Sequence, residues 1–428
     1  MRFQFKYGHT TMDTEIPLEN WMGTIQSCQL EGENISEEEV IKNSLRNPVD
    51  SKLLKNIVEP GEKICIVISD ITRSWQRMNV FLPFIIDELE VAGIKDENIT
   101  FLCATGSHRK QTMEEHREII GDALYNRFKV MDHDCHDMDN HVFMGETSYG
   151  TPVWLNKIAA SSDHIIITGA VVYHDLAGWG GGKKSILPGI CGYESIMKNH
   201  ALSLNPGIGQ GINPMVKCGN IMENPLHEDM VEAAQLVNPS YMFNVIMNER
   251  GTIAGAVSGH YLKAHELGRD MVEKMDSVGI KEKADMVIVS AGGYPKDIDL
   301  YQASKAISNA KEAIKDNGIM ILISQCSEGI GSLEMTEMIE AFDDHTEREI
   351  FLRNNFSVTR YIGYLMAEVA TKFDVILVSD MDAHRLDNIN IKIFKTLDEA
   401  SNYVYSKHSS QLTTYIMPQG ANTLPKLV

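Results

Sequence analysis

Short runs of β-branched and apolar residues, each closed by turn residues, recur along this chain and limit what it can fold into more than any other feature. They are KICIVISD (63–70), ITFLCATGSH (99–108), DHIIITGAVVYH (163–174), DMVIVSAGGYP (285–295), GIMILISQ (318–325) and FDVILVSD (373–380). Apolar residues that run on without alternation mark strands buried on both faces, and so parallel sheets covered by helices. Helical patterns fall where that architecture needs them, at 79–93, 112–128, 300–316 and 332–342. The spacing predicts an α/β protein with mostly parallel sheets. At roughly 150 residues per domain, 428 residues suit two or three domains. The helical pattern MVEKMDSVG (271–279) stops before a new strand at Asp285, which puts a boundary near 280. The expected division is an N-terminal α/β domain over 1–280 and a smaller C-terminal α/β domain over 281–428.

In open parallel sheets, ligands bind beyond the carboxyl ends of the strands. The first run leads into Asp70-Ile-Thr-Arg73, the second into Thr105-Gly106-Ser107-His108, and the third into Tyr173-His174-Asp175. Folding does not require an Arg and two His at equivalent strand ends, so these are candidates for chemistry. The stretch 175–225 is rich in Gly, Pro and Asn, and long loop-rich segments in a compact chain are usually functional. Within it, GWGGGKKSILPG (178–189) fails the Walker pattern, because Gly182-Lys183 is followed by Lys184 rather than Ser or Thr. Its glycines suit either backbone amides brought against a nucleotide phosphate or a flexible loop. MDHDCHDMDNH (131–141) carries the His and Asp of a metal site, but its spacing matches no zinc pattern, and a solvated acidic turn competes with that reading. Together with His174 it defines the alternative function, a divalent-metal-dependent hydrolase or lyase. The chain has no Gly-x-Ser-x-Gly elbow and no Gly-x-Gly-x-x-Gly after its first strand, which disfavours a serine hydrolase and ordinary NAD binding.

Charge narrows the partners. With 59 acidic against 39 basic residues the net charge is −20, which argues against nucleic acid and against an anionic membrane surface. No segment reaches the roughly 18 apolar residues of a membrane span. The N-terminal MRFQFKYGHTTMDTEIPLEN lacks the apolar core of a signal peptide. Seven Cys with no Cys-x-x-Cys pair make a disulfide scaffold unlikely and point to a reducing compartment, so a cytoplasmic location is expected.

Several motifs converge on one family. They are Asp70-Ile-Thr-Arg73, Ala104-Thr-Gly-Ser-His108-Arg109 and Gly145-Glu-Thr-Ser-Tyr-Gly150-Thr-Pro152. His174 follows, with Ala177-Gly178-Trp-Gly-Gly-Gly182-Lys-Lys184 and Leu187-Pro-Gly189, then His200 and Tyr301-Gln302-x-x-Lys305. In this pattern the sequence resembles the nickel-dependent lactate racemase family and its related 2-hydroxyacid racemases and epimerases. The resemblance implies two α/β domains with the active site in an interdomain cleft. The N-terminal domain would be catalytic and cofactor-binding, and the C-terminal domain would complete the substrate pocket. It implies a nickel pincer nucleotide, a pyridinium-3-thioamide-5-thiocarboxylic acid mononucleotide, joined to one lysine. By motif position that lysine is Lys184, with Lys183 as its competitor. Asp70, Thr105, Gly106, Gly181 and Gly182 would line the cofactor, and His200 would ligate the metal. His108 and His174 would be the acid/base pair, and Arg73, Tyr301, Gln302 and Lys305 would hold the substrate carboxylate. The implied partners are a small 2-hydroxy acid and the enzymes that make the cofactor, with an oligomer compatible.

The chemistry agrees with the residues. The α-hydrogen of a 2-hydroxy acid is a poor acid beside a carboxylate, so removal as hydride avoids a carbanion, while one His takes the hydroxyl proton. Two His suit a reaction with mirror-related substrates, because each serves as acid or base near neutrality. Arg offers a bidentate fork to the carboxylate. Trp75, close after Arg73, is a candidate for shaping the pocket, and Arg360 for holding a second carboxylate or a polyol.

Overall fold

The apolar runs become the central strands of two six-stranded sheets. The computed structural model describes residues 1–28, 35–408 and 411–428. The chain divides into one unit of Gln29–Leu202 with Asn220–Met275, and another of Met1–Cys28, Ser203–Gly219 and Asp276–Val428. The passage after Met275 lies close to the expected cut at 280. The structure adds two features that a single cut omits: residues 1–28 and 203–219 belong with the C-terminal part.

In the first of these units the strand order is Ile253–Gly259, Tyr241–Met247, His164–Ala170, Ile64–Ser69, Ile99–Ala104, Lys129–Asp132. All neighbours are parallel except the edge pair Tyr241–Met247 and Ile253–Gly259, an antiparallel hairpin that the sequence patterns missed. The order reverses on either side of Ile64–Ser69, because the next strands go to one side and His164–Ala170 goes to the other. A reversal of this kind opens a crevice at the carboxyl strand ends. Ile64, Ile66, Ile68, Phe101, Ile166 and Phe243 pack with Phe81 and Ile85 of the Met78–Val91 helix in one core. The predicted helix over 112–128 is two short ones, Met113–Ile120 and Asp122–Tyr125. The first starts at a capping box between Thr112 and Glu115 and stops at Gly121, whose φ of +84° cannot continue a helix.

The second unit's sheet is wholly parallel, in the order Lys392–Phe394, Asp374–Val378, Ile314–Ile323, Ala284–Ser290, Thr414–Met417, Trp21–Thr24. The N-terminal segment thus supplies the edge strand of the C-terminal sheet. The helix predicted over 300–316 ends at Ala310, because Ile314 pairs with Ala284 in the ladder. Segment 203–219 is fastened within this unit by buried carboxylates. Glu349 accepts from the amides of Gly209 (3.1 Å) and Gly211 (3.3 Å), and Glu368 accepts from the amide of Ile212 (3.1 Å). Arg353 pairs with Glu349 and donates to the carbonyls of Asn205 and Gly207, both at 2.8 Å. Among the described residues no helix is long and apolar enough to cross a membrane, and all seven cysteines are free thiols.

Candidate active site

Three neighbouring strand ends in the first unit carry the predicted groups. Ile64–Ser69 runs into Asp70, which caps the turn Ile71–Gln76 through Oδ1, accepting from the Thr72 amide at 3.0 Å. Its Oδ2 lies 2.5 Å from Nδ1 of His108, beyond the end of Ile99–Ala104. Burial would push the Asp70 carboxyl up; the hydrogen bond and charge of His108, with Arg73, outweigh it and hold it below the ordinary carboxylate value. Asp70 therefore orients His108 rather than facing outward alone. An Nδ1–H given to Asp70 leaves the lone pair of His108 on Nε2.

His174 lies beyond His164–Ala170 and is held differently: its Nδ1 accepts from the backbone amides of Leu176 (3.1 Å) and Ala177 (3.3 Å), with Asp175 Oδ1 3.0 Å away, and its Nε2 is 2.9 Å from Nζ of Lys184. Burial and then the Lys184 charge push the His174 imidazole down to about 4, with Asp175 opposing and Arg73 adding to the depression. The Arg73 charge therefore acts on both Asp70 and His174. Its Nη1 donates to Thr72 Oγ1 at 2.7 Å.

His200 sits near the end of the helix Tyr193–Ala201, 5% exposed, with Nδ1 donating to the Ile196 carbonyl at 2.9 Å. That bond fixes the tautomer and leaves the Nε2 lone pair for a ligand, as metal-binding imidazoles are commonly set. Burial, then the Lys184 charge, lowers its pKa to about 3, so the ring is neutral. Lys184 thus faces His174 and its charge reaches His200. Lys183 turns the other way: it is 2% exposed, its charge acts on His227 and His265, and its Nζ has no hydrogen-bond partner. The geometry separates the two lysines that the sequence left in competition.

The glycine run is a packed turn, not an open cradle. The amide of Gly180 donates to the Val172 carbonyl (2.8 Å), that of Gly182 to Asn244 Oδ1 (2.8 Å), and that of Lys184 to the Gly181 carbonyl (3.2 Å). A Cβ on Gly181, at φ +75°, would lie 2.6 Å from the Ala170 carbonyl oxygen; one on Gly182 would lie 2.8 Å from the His265 ring. These glycines bring Lys184 against the strand end, and the three amides are not available to a phosphate. Thr105 is likewise committed, its hydroxyl donating to the His133 carbonyl at 2.7 Å. Gly106, at φ +55°, donates its amide to Gly189 and so joins the Thr-Gly and Leu-Pro-Gly motifs.

The 131–141 cluster is drawn apart. Asp132 pairs with His116 (2.8 Å), His133 reaches the Cys191 carbonyl (2.9 Å), and Asp134 pairs with Lys110 (3.1 Å). His141 goes to the Asp137 carbonyl (2.8 Å). Among the described residues no three His, Cys, Asp or Glu groups converge to hold a metal ion, so the hydrolase alternative loses its site. Arg360 is also taken, paired with Glu334 (3.0 Å) and Glu337 (3.2 Å), which leaves it unsuited to a second substrate carboxylate. Trp75 is 43% exposed in the turn after Arg73. In the other unit, Tyr301, Gln302 and Lys305 lie on the first turns of Leu300–Ala310, with Lys305 Nζ donating to Gln302 Oε1 at 2.7 Å. Sequence reasoning did not assign Asp175 and Asn244. Asp175 had a signal in its adjacency to His174; Asn244 had none.

Two family models match, the lactate racemase N-terminal domain over residues 7–211 and the lactate racemase C-terminal domain over 280–424. The lactate racemase of Lactiplantibacillus plantarum is 31% identical over 430 residues, covering 98% of each chain. That of Thermoanaerobacterium thermosaccharolyticum is 29% identical over 427 residues, again covering 98% of each. The solved structure of the lactate racemase apoprotein from the latter organism matches over the full length of both chains, with a TM-score of 0.91 at 28% identity. A crystal structure of a Thermotoga maritima protein, at 18% identity and a TM-score of 0.65 over 93% of this chain and 100% of that one, shares the fold. On its two domain matches and its full-length relatives, this chain belongs to the lactate racemase family and is an isomerase of the racemase type.

Proposed function

We propose that the chain inverts the C2 centre of a 2-hydroxy acid, with lactate the first substrate to assay because both curated relatives carry that name. The observation that carries this reading is the pair of imidazoles at neighbouring strand ends, each with an Asp at its Nδ1 side and each within the influence of the Arg73 charge, directly on His174 and through Asp70 for His108. One His takes the hydroxyl proton of one enantiomer, and the other, protonated beforehand, donates its own proton to the oxygen of the mirror-related product. Asp70 holds the His108 ring in one tautomer and stabilises the imidazolium that forms on proton uptake, the role an Asp plays in a catalytic triad, and the Asp175 charge favours proton uptake by His174. Arg73 suits the substrate carboxylate through its fork of donors. For the other unit, Tyr301, Gln302 and Lys305 are retained as carboxylate-holding groups.

The residues fit a nickel pincer nucleotide. His200 is neutral, buried and tautomer-fixed with an open lone pair, which suits a metal of intermediate softness. Lys184 is the lysine whose charge reaches His200, and is assigned the covalent attachment. When bound, such a group supplies the hydride acceptor that a 2-hydroxy acid requires. The chain's own work is to orient the substrate with Arg73 and to move the hydroxyl proton through Nε2 of His108 and the ring of His174. Cofactor-making enzymes follow as partners.

The test is expression with the cofactor-making enzymes, followed by intact mass and chiral chromatography of lactate and other 2-hydroxy acids. The expected result is an added mass that Lys184→Ala abolishes, together with interconversion of enantiomers that His108→Ala and His174→Ala each stop. An unmodified chain, or exchange that survives either histidine change, refutes the scheme.

A further inference from the structure

We propose that Asp229 is a positioning residue for His200, and that Thr147 and Thr151 of the Gly145–Pro152 motif act with it to hold the helix that presents this imidazole. The proposal rests on the reading of His200 as the nickel ligand, and every residue it invokes lies in one unit.

The motif Gly145-Glu-Thr-Ser-Tyr-Gly150-Thr-Pro152 contains neither histidine nor lysine. Its turn instead aims two hydroxyls at a carboxylate on the Pro225–Val237 helix. Asp229 is fully buried there and accepts three side-chain hydrogen bonds. Thr147 Oγ1 donates to its Oδ1, while Thr151 Oγ1 and Asn199 Nδ2 donate to its Oδ2, both at 2.8 Å. The Thr147 hydroxyl accepts from the Thr151 amide at 3.1 Å, which leaves its own proton for Asp229. All three side-chain donors are uncharged, and a carboxylate is the group that takes three donors and offers none. Packing alone would be served as well by an apolar side chain, without the cost of burying a charge.

Asn199 directly precedes His200 on the Tyr193–Ala201 helix. Its Nδ2 donates to Asp229 and to the Leu226 carbonyl (3.0 Å), while its Oδ1 stays buried without a partner. Two acceptors on one side outweigh that unmet oxygen, and removing the carboxylate removes one of them. Ser195 lies four residues before Asn199, on the same face of the helix. Its hydroxyl donates to the Pro152 carbonyl and accepts from the Trp154 amide at 3.1 Å. The motif therefore grips this face at Ser195 directly and at Asn199 through Asp229. Ile196 and His200 form the adjacent pair at the same spacing, joined by the bond from Nδ1 to the Ile196 carbonyl. Because that bond lies inside the helix, the direction of Nε2 is set by where the helix sits. A functional group must be held to within about 0.5 Å of its working place, so the grip on the helix is a grip on the ligand.

Asp229→Asn brings an NH2 to a place where donors converge. Thr147→Val and Thr151→Val delete the hydroxyls at nearly constant shape, and Thr147→Ser and Thr151→Ser keep them. Tyr241→Phe removes a buried hydrogen bond to Ser258 in the same unit and controls for general destabilisation. In the unloaded chain, hydrogen exchange reads the 193–201 amides, and NMR of isotope-labelled histidine reads the His200 ring. Asp229→Asn and the valine variants should exchange these amides at least about tenfold faster than Tyr241→Phe, with the His200 signal displaced, and the serine variants should match the wild type. In the loaded enzyme the same changes should speed nickel loss to a chelator about 10- to 100-fold, with the mass added at Lys184 retained. Near-ultraviolet circular dichroism checks folding, and the single valine variants carry the test should Asp229→Asn not fold. Helix exchange and a His200 signal like those of Tyr241→Phe, or serine variants as fast as the valine ones, overturn the proposal. The expected exchange and NMR changes in a chain whose wild type takes up no nickel on co-expression would refute the nickel reading and leave the positioning of His200 standing.

Discussion

His133 gives a quantitative handle on how this site region is held. It is 1% exposed, donates toward the Cys191 carbonyl at 2.9 Å, and lies 3.1 Å from the side-chain amide of Asn156. Burial pushes its imidazole down to about 4 from an ordinary 6.5. Between those values the unfolded chain binds a proton that the folded chain refuses, so stability falls as pH falls through that window. From pH 7 to pH 5 the loss from this one residue is about 2 kcal/mol, taken from the two proton-binding curves. Denaturant unfolding at both pH values is the assay, read by fluorescence. Trp75, Trp154 and Trp179 lie in the same unit as His133, which biases the signal toward it. His133→Asn keeps a polar group there but does not titrate. Its stability should therefore drop by about 2 kcal/mol less than the wild type's over the same interval, whatever its value at pH 7. Equal drops in the two proteins would refute a neutral, buried His133.

Asp70→Asn keeps the shape but permits the wrong His108 tautomer. Turnover in the loaded enzyme should fall by about three orders of magnitude with a smaller change in KM, as judged from triad analogues. His200→Ala should abolish nickel in elemental analysis while the mass added at Lys184 remains; retained nickel would remove His200 from the ligand set. Gly181→Ala must fit a Cβ 2.6 Å from a backbone oxygen at positive φ. It should lower the denaturant midpoint by an amount equivalent to more than about 1 kcal/mol.

The fold class was legible because continuous apolar runs permit little else, and the strands at 64–69, 99–104 and 164–170 fell inside the runs that marked them. The Tyr241–Gly259 hairpin was not legible, since YMFNVIM and IAGAVSG show neither a helix period nor a clean alternation. The separation of Lys183 from Lys184 was also hidden. Sequence places the two side by side, and only the fixed turn of Gly180–Gly182 decides which faces His174. The glycines themselves misled: the run looked like an anion cradle, whereas its amides are used to fold it. For the 131–141 cluster the spacing rule was informative, because side chains at unsuitable intervals went to separate protein partners.

The strand Trp21–Thr24, lying beside Thr414–Met417 at the rim of the second sheet, bears on how this protein can be dissected. A fragment beginning at residue 281 would carry its hydrophobic sheet with the Thr414–Met417 edge stripped, offering unpaired amides and carbonyls to any neighbouring chain. It would also lack Ser203–Gly219, leaving the carboxylates of Glu349 and Glu368 without their amide donors. Such a piece should self-associate rather than remain a monomer. Because Trp21–Thr24 precedes the other unit in the chain and Thr414–Met417 follows it, folding of this sheet must wait for the later strand while the earlier one is kept in reserve.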